Sequence, residues 1–192
     1  AFILHPLKVM TTIGVISDTH IRAGGTRAMP SRVWELFADV NLILHGGDLT
    51  HERVLSELEA IAPVLAVHGN NDTWELMQKL PTSRRIAVEN CVLGMTHGDV
   101  PGAGISRVAP LPFEGNRHTA ANAWSHFAED QEISCVVFGH SHRPLCEWHD
   151  FKNRRILFFN PGSPTDKRYG PHYGLGILRI HGAEISPELI LW

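Results

Sequence analysis

Residues 12–20 have the sequence Thr-Ile-Gly-Val-Ile-Ser-Asp-Thr-His, a short apolar run that ends in Asp18 and His20. Residues 41–45 and 63–68 are two further runs rich in Val, Ile and Leu, and each is followed by Gly, Asp or Asn. Continuous apolar runs of this length are typical of strands that are buried on both faces of a parallel sheet. The three runs therefore predict three parallel strands.

The segments between these runs have the pattern of amphipathic helices. Residues 30–39 and 51–62 carry apolar side chains at helical spacing, so that one face of each helix covers the sheet. The strand-helix-strand-helix-strand order makes a parallel sheet, and ligands of such sheets collect at the carboxyl ends of the strands. Asp18, Asp48 and Asn70 all lie at that edge.

The chain after Pro81 is predicted to consist mostly of strands. A helix is predicted over 118–130, and strands are predicted over 84–89, 91–96, 133–138, 145–148, 155–159, 173–180 and 184–192. We expect the later strands to form a second sheet packed on the first. Since no repeat or long linker divides the chain, we predict a single domain over residues 1–192.

Two segments fall outside this pattern. Residues 100–117 are rich in proline and glycine without a clear period. Because loops longer than about 12 to 15 residues are usually functional or disordered, a lid over the site is one interpretation and an irregular surface loop is the other. Residues 1–9 precede Met10, which fits a natural start, and we interpret them as a non-native remnant or an extension.

The composition is that of an ordinary globular protein and excludes some functions. The 192 residues include 17 Lys and Arg against 20 Asp and Glu, a formal net charge of −3. This balance gives no broad basic surface, so binding of nucleic acid is not expected. A small phosphate ester is compatible with it, because a metal site carries its own positive charge.

The cysteines and the hydropathy pattern give an expectation about the compartment. Three cysteines without close pairing predict reduced thiols, and no apolar stretch approaches the roughly 20 residues that span a bilayer. We expect a cytoplasmic protein without a membrane span. The oligomeric state is left open, and a homo-oligomer is one of the alternatives.

Five short polar motifs follow the apolar runs and carry the chemistry. They are Asp18-Thr19-His20, Gly47-Asp48, Gly69-Asn70-Asn71-Asp72, Thr96-His97-Gly98 and Gly139-His140-Ser141-His142. Each motif is weak by itself, because a histidine at a strand end is more often a hydrogen-bonded structural residue than a ligand. Together their carboxylate, imidazole and amide groups suit Mn, Fe, Zn or similar ions. The combination predicts metal-assisted hydrolysis.

In this order the motifs resemble those of the calcineurin-like metallophosphoesterases. Asn160-Pro161-Gly162-Ser163 resembles a motif of the short single-domain bacterial and archaeal phosphodiesterase form. The resemblance runs from about residue 12 to the end of the chain. It implies an α/β fold, a four-layer α/β/β/α sandwich of two mixed sheets flanked by helices.

The resemblance also implies two divalent metal ions. Manganese is the first expectation, and iron, zinc and nickel are the alternatives. The implied ligands of the first ion are Asp18, His20, Asp48 and His142, and those of the second ion are Asp48, Asn70, His97 and His140. The implied activity is hydrolysis of phosphodiester or phosphomonoester bonds of small substrates by a hydroxide that bridges the ions.

Two residues beside the ligands are candidates for a catalytic role. Many members of the family have histidine after Gly-Asn, where it is thought to assist the leaving group, whereas this chain has Asn71. An amide donates a hydrogen bond but cannot deliver a proton near neutral pH, which favours substrates with good leaving groups. Asp72 is expected to orient its neighbours, as outer carboxylates commonly do at metal sites.

Four further residues are candidates for substrate binding. Arg22 and Arg143 directly follow metal motifs, and an arginine can hold a phosphate through two parallel hydrogen bonds. A solvated surface arginine is the alternative for both. Asn160 and Ser163 are candidates by family resemblance alone.

Two other functions stay as alternatives. A retromer subunit of the same fold binds partner proteins through its sheet surface, but its metal site is incomplete, whereas no implied ligand is missing here. A nuclease of the same family would need a groove that follows the phosphates of a strand. Neither the net charge nor any run of Lys and Arg supports such a groove.

Overall fold

The computed structural model describes residues 10–104, 111–151 and 153–192. Residues 1–9, and residues 105–110 of the predicted lid, lie outside the described residues, so the interpretations of both segments stay predictions. The described flanks of the lid segment pack on the body of the protein. Gly102 N donates to Ser125 Oγ at 2.6 Å, and Phe113 is buried.

Two mixed five-stranded sheets form the centre of the fold. The strands are β1 (Thr11–Ile16), β2 (Leu42–His45), β3 (Val64–Ala66), β4 (Ser83–Val88), β5 (Cys91–Thr96), β6 (Ile133–Val137), β7 (Leu145–Phe151), β8 (Arg154–Asn160), β9 (Gly174–His181) and β10 (Glu184–Leu191). The first sheet has the order β10-β9-β1-β2-β3, and the second has the order β4-β5-β6-β8-β7. Strands β1, β2 and β3 are parallel to one another, as are β5, β6 and β8.

Helices cover the outer faces of the two sheets. They are α1 (Ser31–Phe37), α2 (Arg53–Glu59), α3 (Trp74–Lys79) and α4 (Arg117–Ser125). Side chains of α1, α2 and α3 pack on the first sheet, and those of α4 pack on the second. Of the helices in the described residues, none has the length and apolar character that crossing a membrane requires.

Alternation along the strands divides the apolar side chains among three cores. In β1, Ile13 and Val15 belong to the core between the sheets, whereas Ile16 packs in the core with Phe37 of α1. Strand β6 divides its side chains in the same way between the central core and the core beneath α4. Burial on both faces explains the continuous apolar runs, and the four-layer α/β/β/α sandwich of two mixed sheets is confirmed.

The last two strands differ from the prediction. The expectation that all the later strands form the second sheet is wrong for 173–180 and 184–192, because β9 pairs antiparallel with β1 and β10 pairs with β9. The chain thus returns to the edge of the sheet that β1 would otherwise form, and β9 pairs with that edge. Two helices also differ: α3 was not predicted, and α4 ends at Ser125 rather than near residue 130.

The central core contains one particularly close approach between the sheets. Phe159 of β8 is fully buried, and its ring lies against the backbone of Gly176 in β9. A Cβ atom at position 176 would lie 2.3 Å from both Cε1 and Cζ of that ring. The absence of a side chain at Gly176 therefore lets the two sheets pack together over Phe159.

We predict that Gly176→Ala destabilises the protein, because the added methyl group overlaps the Phe159 ring; overpacking of this kind typically costs about 1–3 kcal/mol. In the Phe159→Ala background the same change should cost much less. Urea unfolding of the wild type, both single variants and the double variant measures this coupling. An equal cost of Gly176→Ala in both backgrounds would contradict the contact.

Candidate metal centre

All seven predicted metal ligands lie in loops that follow the carboxyl ends of parallel strands. Strand β1 is followed by Asp18 and His20, β2 by Asp48, β3 by Asn70, β5 by His97, and β6 by His140 and His142. Three of these strands belong to the first sheet and two to the second. The loops meet where the two sheets face each other, and contacts join all seven side chains into one cluster.

The backbone at the ligands has an uncommon conformation. Five of the seven predicted ligands have left-handed φ values between 45° and 64°, namely Asp18, His20, Asp48, His140 and His142. This region is sparsely populated by residues other than glycine, and each such residue costs about 1–3 kcal/mol. Strain of this kind persists only where the surrounding structure enforces it, and it concentrates at functional sites.

One half of the cluster consists of Asp18, His20 and His142. Nε2 of His142 lies 3.3 Å from Asp18 Oδ1 and 3.2 Å from Nε2 of His20. The far nitrogen of His142, Nδ1, donates to the carbonyl oxygen of Asp166. A neutral imidazole that donates through Nδ1 presents a lone pair at Nε2. The Nε2 atom of His142 is therefore oriented to coordinate a metal ion inside the cluster.

Asp48 connects this half to the other. Its Oδ2 lies 3.5 Å from Nε2 of His20 and 3.3 Å from Nε2 of His97. Nδ1 of His97 donates to the carbonyl oxygen of Gly46 at 2.8 Å, which turns Nε2 towards Asp48. That Nε2 is buried and makes no hydrogen bond within the described structure.

Asn70 and His140 form the more exposed side of the cluster. Asn70 Oδ1 lies 3.1 Å from Nδ1 of His140, and the rings of His140 and His97 meet edge to face at 5.2 Å. The backbone N–H of His140 donates to the carboxylate of Asp18 at 3.0 Å, which ties this loop to the first half.

The carboxylate and imidazole groups of this cluster suit divalent metal ions. The ligand atoms of Asp18, His20 and His142 all lie within 4.8 Å of one another, and so do those of Asp18, Asp48 and His97. Facing imidazole nitrogens, buried carboxylates and the Nε2 of His97, which has no hydrogen bond among the described residues, are a set of groups that suits such cations. Asp18 belongs to both groups, whereas the resemblance assigned it to the first ion alone.

Burial and charge shift the pKa values at the centre in opposite directions. Burial, with the charge of Asp48, raises the pKa of Asp18 to about 7. Burial alone would lower the pKa of His97, but the carboxylates of Asp48 and Asp18 outweigh it and raise that pKa to about 9. Although burial opposes ionisation of Asp48, the nearby imidazole of His97 and the hydrogen bonds from Asn71 hold the pKa of that carboxyl far below its usual range.

Two residues of the Gly69-Asn70-Asn71-Asp72 motif support Asp48. The backbone N–H and the side-chain amide of Asn71 donate to the two carboxylate oxygens of Asp48, at 2.8 and 2.7 Å. The carboxylate of Asp72 accepts hydrogen bonds from the backbone N–H groups of Asp48, Thr50 and Gly69 at 2.6–3.0 Å. Asp72 thereby joins the loops that follow β2 and β3.

The four candidates for substrate binding separate into two pairs. Arg22 and Arg143 are exposed, and Arg22 lines a depression of about 370 Å³ together with His20. Asn160 and Ser163 are fully buried behind the ligands. Asn160 Nδ2 donates to the carbonyl oxygen of Gly139 at 2.9 Å, and Ser163 Oγ donates to that of Asp18 at 2.7 Å, so their contacts support loop positioning.

Two residues outside the predicted site also hold these loops. Asn116 accepts from Ser141 Oγ at 2.6 Å and donates to the carbonyl oxygen of Arg143 at 3.1 Å, so it fixes both sides of His142. His45 is hydrogen-bonded to Thr19 and to Gly47 N, and burial lowers its pKa to about 3. No local pattern marks Asn116, because its partners lie far away in the sequence.

Known proteins with similar sequences support a common family. Residues 11–183 match the family described as the calcineurin-like phosphoesterase superfamily domain. A probable metallophosphoesterase of Methanothermobacter thermautotrophicus is 37% identical over 179 residues, which cover 93% of this chain and 91% of that protein. One of Methanocaldococcus jannaschii is 32% identical over 174 residues, which cover 85% and 79% of the two chains.

Solved structures show the same fold at lower identity. A Streptococcus pneumoniae protein described as a predicted phosphoesterase has a TM-score of 0.66 at 22% identity, with 95% of this chain and 90% of that chain covered. Vps29 of Entamoeba histolytica, as a D62A variant, has a TM-score of 0.65 at 20% identity, with 95% and 99% covered. On the family match and the archaeal relatives, this chain belongs to the calcineurin-like phosphoesterase superfamily.

Proposed function

We propose that this protein is a phosphoesterase that uses two divalent metal ions to hydrolyse phosphodiester or phosphomonoester bonds of small substrates. The observation that carries the proposal is the position of Asp48, whose Oδ2 lies 3.5 Å from His20 Nε2 and 3.3 Å from His97 Nε2. A carboxylate between two imidazoles suits a ligand shared by two ions. The probable metallophosphoesterases among the relatives support the same chemistry.

The proposed ligands form two sets that share Asp48. The first set is Asp18, His20, Asp48 and His142, and the second is Asp48, Asn70, His97 and His140. When bound, two such ions activate a water and balance the charge of the phosphoryl oxygens. The carbonyl groups of Gly46 and Asp166 keep the rings of His97 and His142 in the tautomer that such ions need. Manganese is the proposed metal, with iron, zinc and nickel as alternatives.

Asn71 supports a preference for good leaving groups. Its side-chain amide donates to Asp48, so in the described structure it positions the shared ligand. An amide does not deliver a proton near neutral pH, and the leaving group must therefore depart as an anion or take its proton from solvent. Asp72 acts through the backbone of the loops that carry Asp48 and Asn70.

The surroundings support a small phosphate ester as the substrate. Arg22 and Arg143 are exposed and follow His20 and His142 closely in the chain, and a guanidinium group can pair with phosphate through two hydrogen bonds. With 17 basic against 20 acidic residues, the chain offers no general attraction to a nucleic acid strand. A cytoplasmic location and the oligomeric state stay predictions.

A protein-binding scaffold is the competing function. Vps29 structures share the fold, but a likeness at 20% identity concerns the fold alone. The full set of seven ligand side chains favours the enzyme. Metal-free protein that holds a stable partner and takes up no metal would favour the scaffold instead.

We predict that Asp48→Ala lowers the metal-dependent hydrolysis of bis(4-nitrophenyl) phosphate by at least about 100-fold, because both ions lose a shared ligand. The assay is run with Mn, Fe, Zn and Ni in turn. Asp150→Ala serves as the matched control, since this carboxylate is 85% exposed on the surface and is expected to leave the activity unchanged. Wild-type protein that is inert with every metal would overturn the proposed function.

We predict that binding of Mn²⁺ strengthens as the pH rises and that it releases protons. In the metal-free protein Asp18 has a pKa of about 7 and His97 one of about 9, so below these values protons compete with the ion for the ligands. Calorimetric titration in buffers of different ionisation enthalpy should show fewer protons released at pH 8.0 than at pH 6.5. A proton release of zero at both pH values would contradict this prediction.

We predict that the rate of the wild type falls steeply along a series of aryl phosphodiesters as the pKa of the leaving phenol rises. Asn71→His should make this dependence shallower, because imidazole can donate a proton to the leaving oxygen. Asn71→Ala is the control, since it removes the amide without adding a proton donor. Equal slopes for wild type and Asn71→His would show that position 71 does not face the leaving group.

A further inference from the structure

A short segment after β8 lies against one half of the metal centre. It consists of residues 163–166, Ser163-Pro164-Thr165-Asp166, and is called the clasp below. Ser163 is fully buried, and its Oγ accepts hydrogen bonds from the backbone N–H groups of Thr165 and Asp166 at 3.3 and 2.8 Å. The clasp is therefore a fixed turn.

The clasp holds the loop that contains Asp18 and the ring of His142, both of which belong to the first half of the centre. Ser163 Oγ donates to the carbonyl oxygen of Asp18 at 2.7 Å, and Thr165 Oγ1 donates to that of Thr19. The carbonyl oxygen of Asp166 accepts from Nδ1 of His142. These three bonds connect the clasp to both sides of the first half of the centre.

Arg27 contacts both the clasp and the loop that contains His20. Its Nη1 lies 3.2 Å from Oδ2 of Asp166 and 3.4 Å from the carbonyl oxygen of His20. The two side chains are partly exposed, 37% for Arg27 and 27% for Asp166. One guanidinium group thus joins the loop of His20 to the residue that orients His142.

The support is unequal between the two proposed ions. Among the described residues, no hydrogen bond joins the clasp or Arg27 to Asn70, His97 or His140. The ring of His97 is oriented by Gly46, and the ring of His140 contacts Asn70. The second half of the centre is consequently held by other parts of the fold.

We infer that Arg27 is a positioning residue, which contacts the His20 loop directly and acts through Asp166 on His142, so that both histidines keep the geometry that the first ion needs. The inference rests on the proposed function in that it takes the centre to bind two ions. Partners of metal-bound histidines commonly change metal affinity by about 10- to 100-fold when they are removed. A merely structural ion pair at the surface would change stability slightly and leave metal binding unaffected.

The test measures Mn²⁺ binding by calorimetric titration in two backgrounds that each keep one ion. His140→Ala removes a ligand of the second ion, and His20→Ala removes a ligand of the first. Arg27→Ala should weaken the remaining binding about tenfold in the His140→Ala background and leave it unchanged in the His20→Ala background. Arg27→Lys should restore part of the affinity, because a charged amine can still pair with Asp166.

Arg179→Ala is the matched control. Arg179 also forms a partly exposed ion pair, 2.7 Å from Glu188, but it joins β9 to β10 away from the ligands. It should leave Mn²⁺ affinity unchanged in both backgrounds. Thermal unfolding of the metal-free variants should show similar midpoints for Arg27→Ala and Arg179→Ala, so that a loss of affinity is not a loss of fold.

The outcomes separate this inference from the function on which it rests. If the wild type binds none of Mn²⁺, Fe²⁺, Zn²⁺ and Ni²⁺, the proposed function fails. If the wild type binds two ions and Arg27→Ala affects neither background, or affects both equally, the positioning role fails while the proposed function stands. Selective weakening in the His140→Ala background supports the inference.

Discussion

The buried carboxylate of Asp48 is the group on which the rest of the centre depends. A buried anion is costly unless hydrogen bonds and opposite charge compensate it. Here Asn71 donates to both of its oxygens, and the imidazoles of His20 and His97 lie on either side. Because Asp72 fixes the backbone N–H of Asp48 itself, the position of this carboxylate is determined from several directions.

Apolar packing elsewhere in the fold offsets the unfavourable free energy of such a centre. Left-handed backbone at five of the predicted ligand positions and several buried ionisable groups are all unfavourable by themselves. Three apolar cores, one between the sheets and one beneath each helical layer, offset that cost. The close approach of the sheets at Phe159 and Gly176 keeps the core between them dense.

The two halves of the centre differ in how they are held. The first half is supported by the clasp after β8, which reaches the loop after β1 and the ring of His142. The second half is supported by Gly46 and by the loop that contains Asn70. In the proposed two-ion centre, this asymmetry would let the chain set the affinities of the two ions separately, although both would share Asp48.

Much of the fold and of the centre could be predicted from the sequence because the relevant signals are local. The apolar runs marked the strands, and the polar residues directly after them marked the side chains that gather at the strand ends. The structure adds that β9 returns to pair with β1, that Asn160 and Ser163 lie buried behind the loops, and that Asn116 fixes the loop of His142.

By itself, the sequence determined which residues follow the buried strands and therefore which chemistry gathers at the sheet edge. Only the tertiary structure decided how those residues meet: the place of Asp48 between two histidines, the clasp against Asp18 and His142, and the pairing of Arg27 with Asp166. The physical reason is that strand periodicity is a property of neighbouring residues. Contacts such as the one between Arg27 and Asp166 join positions far apart in the chain, and they exist only once the loops of both sheets have been brought together.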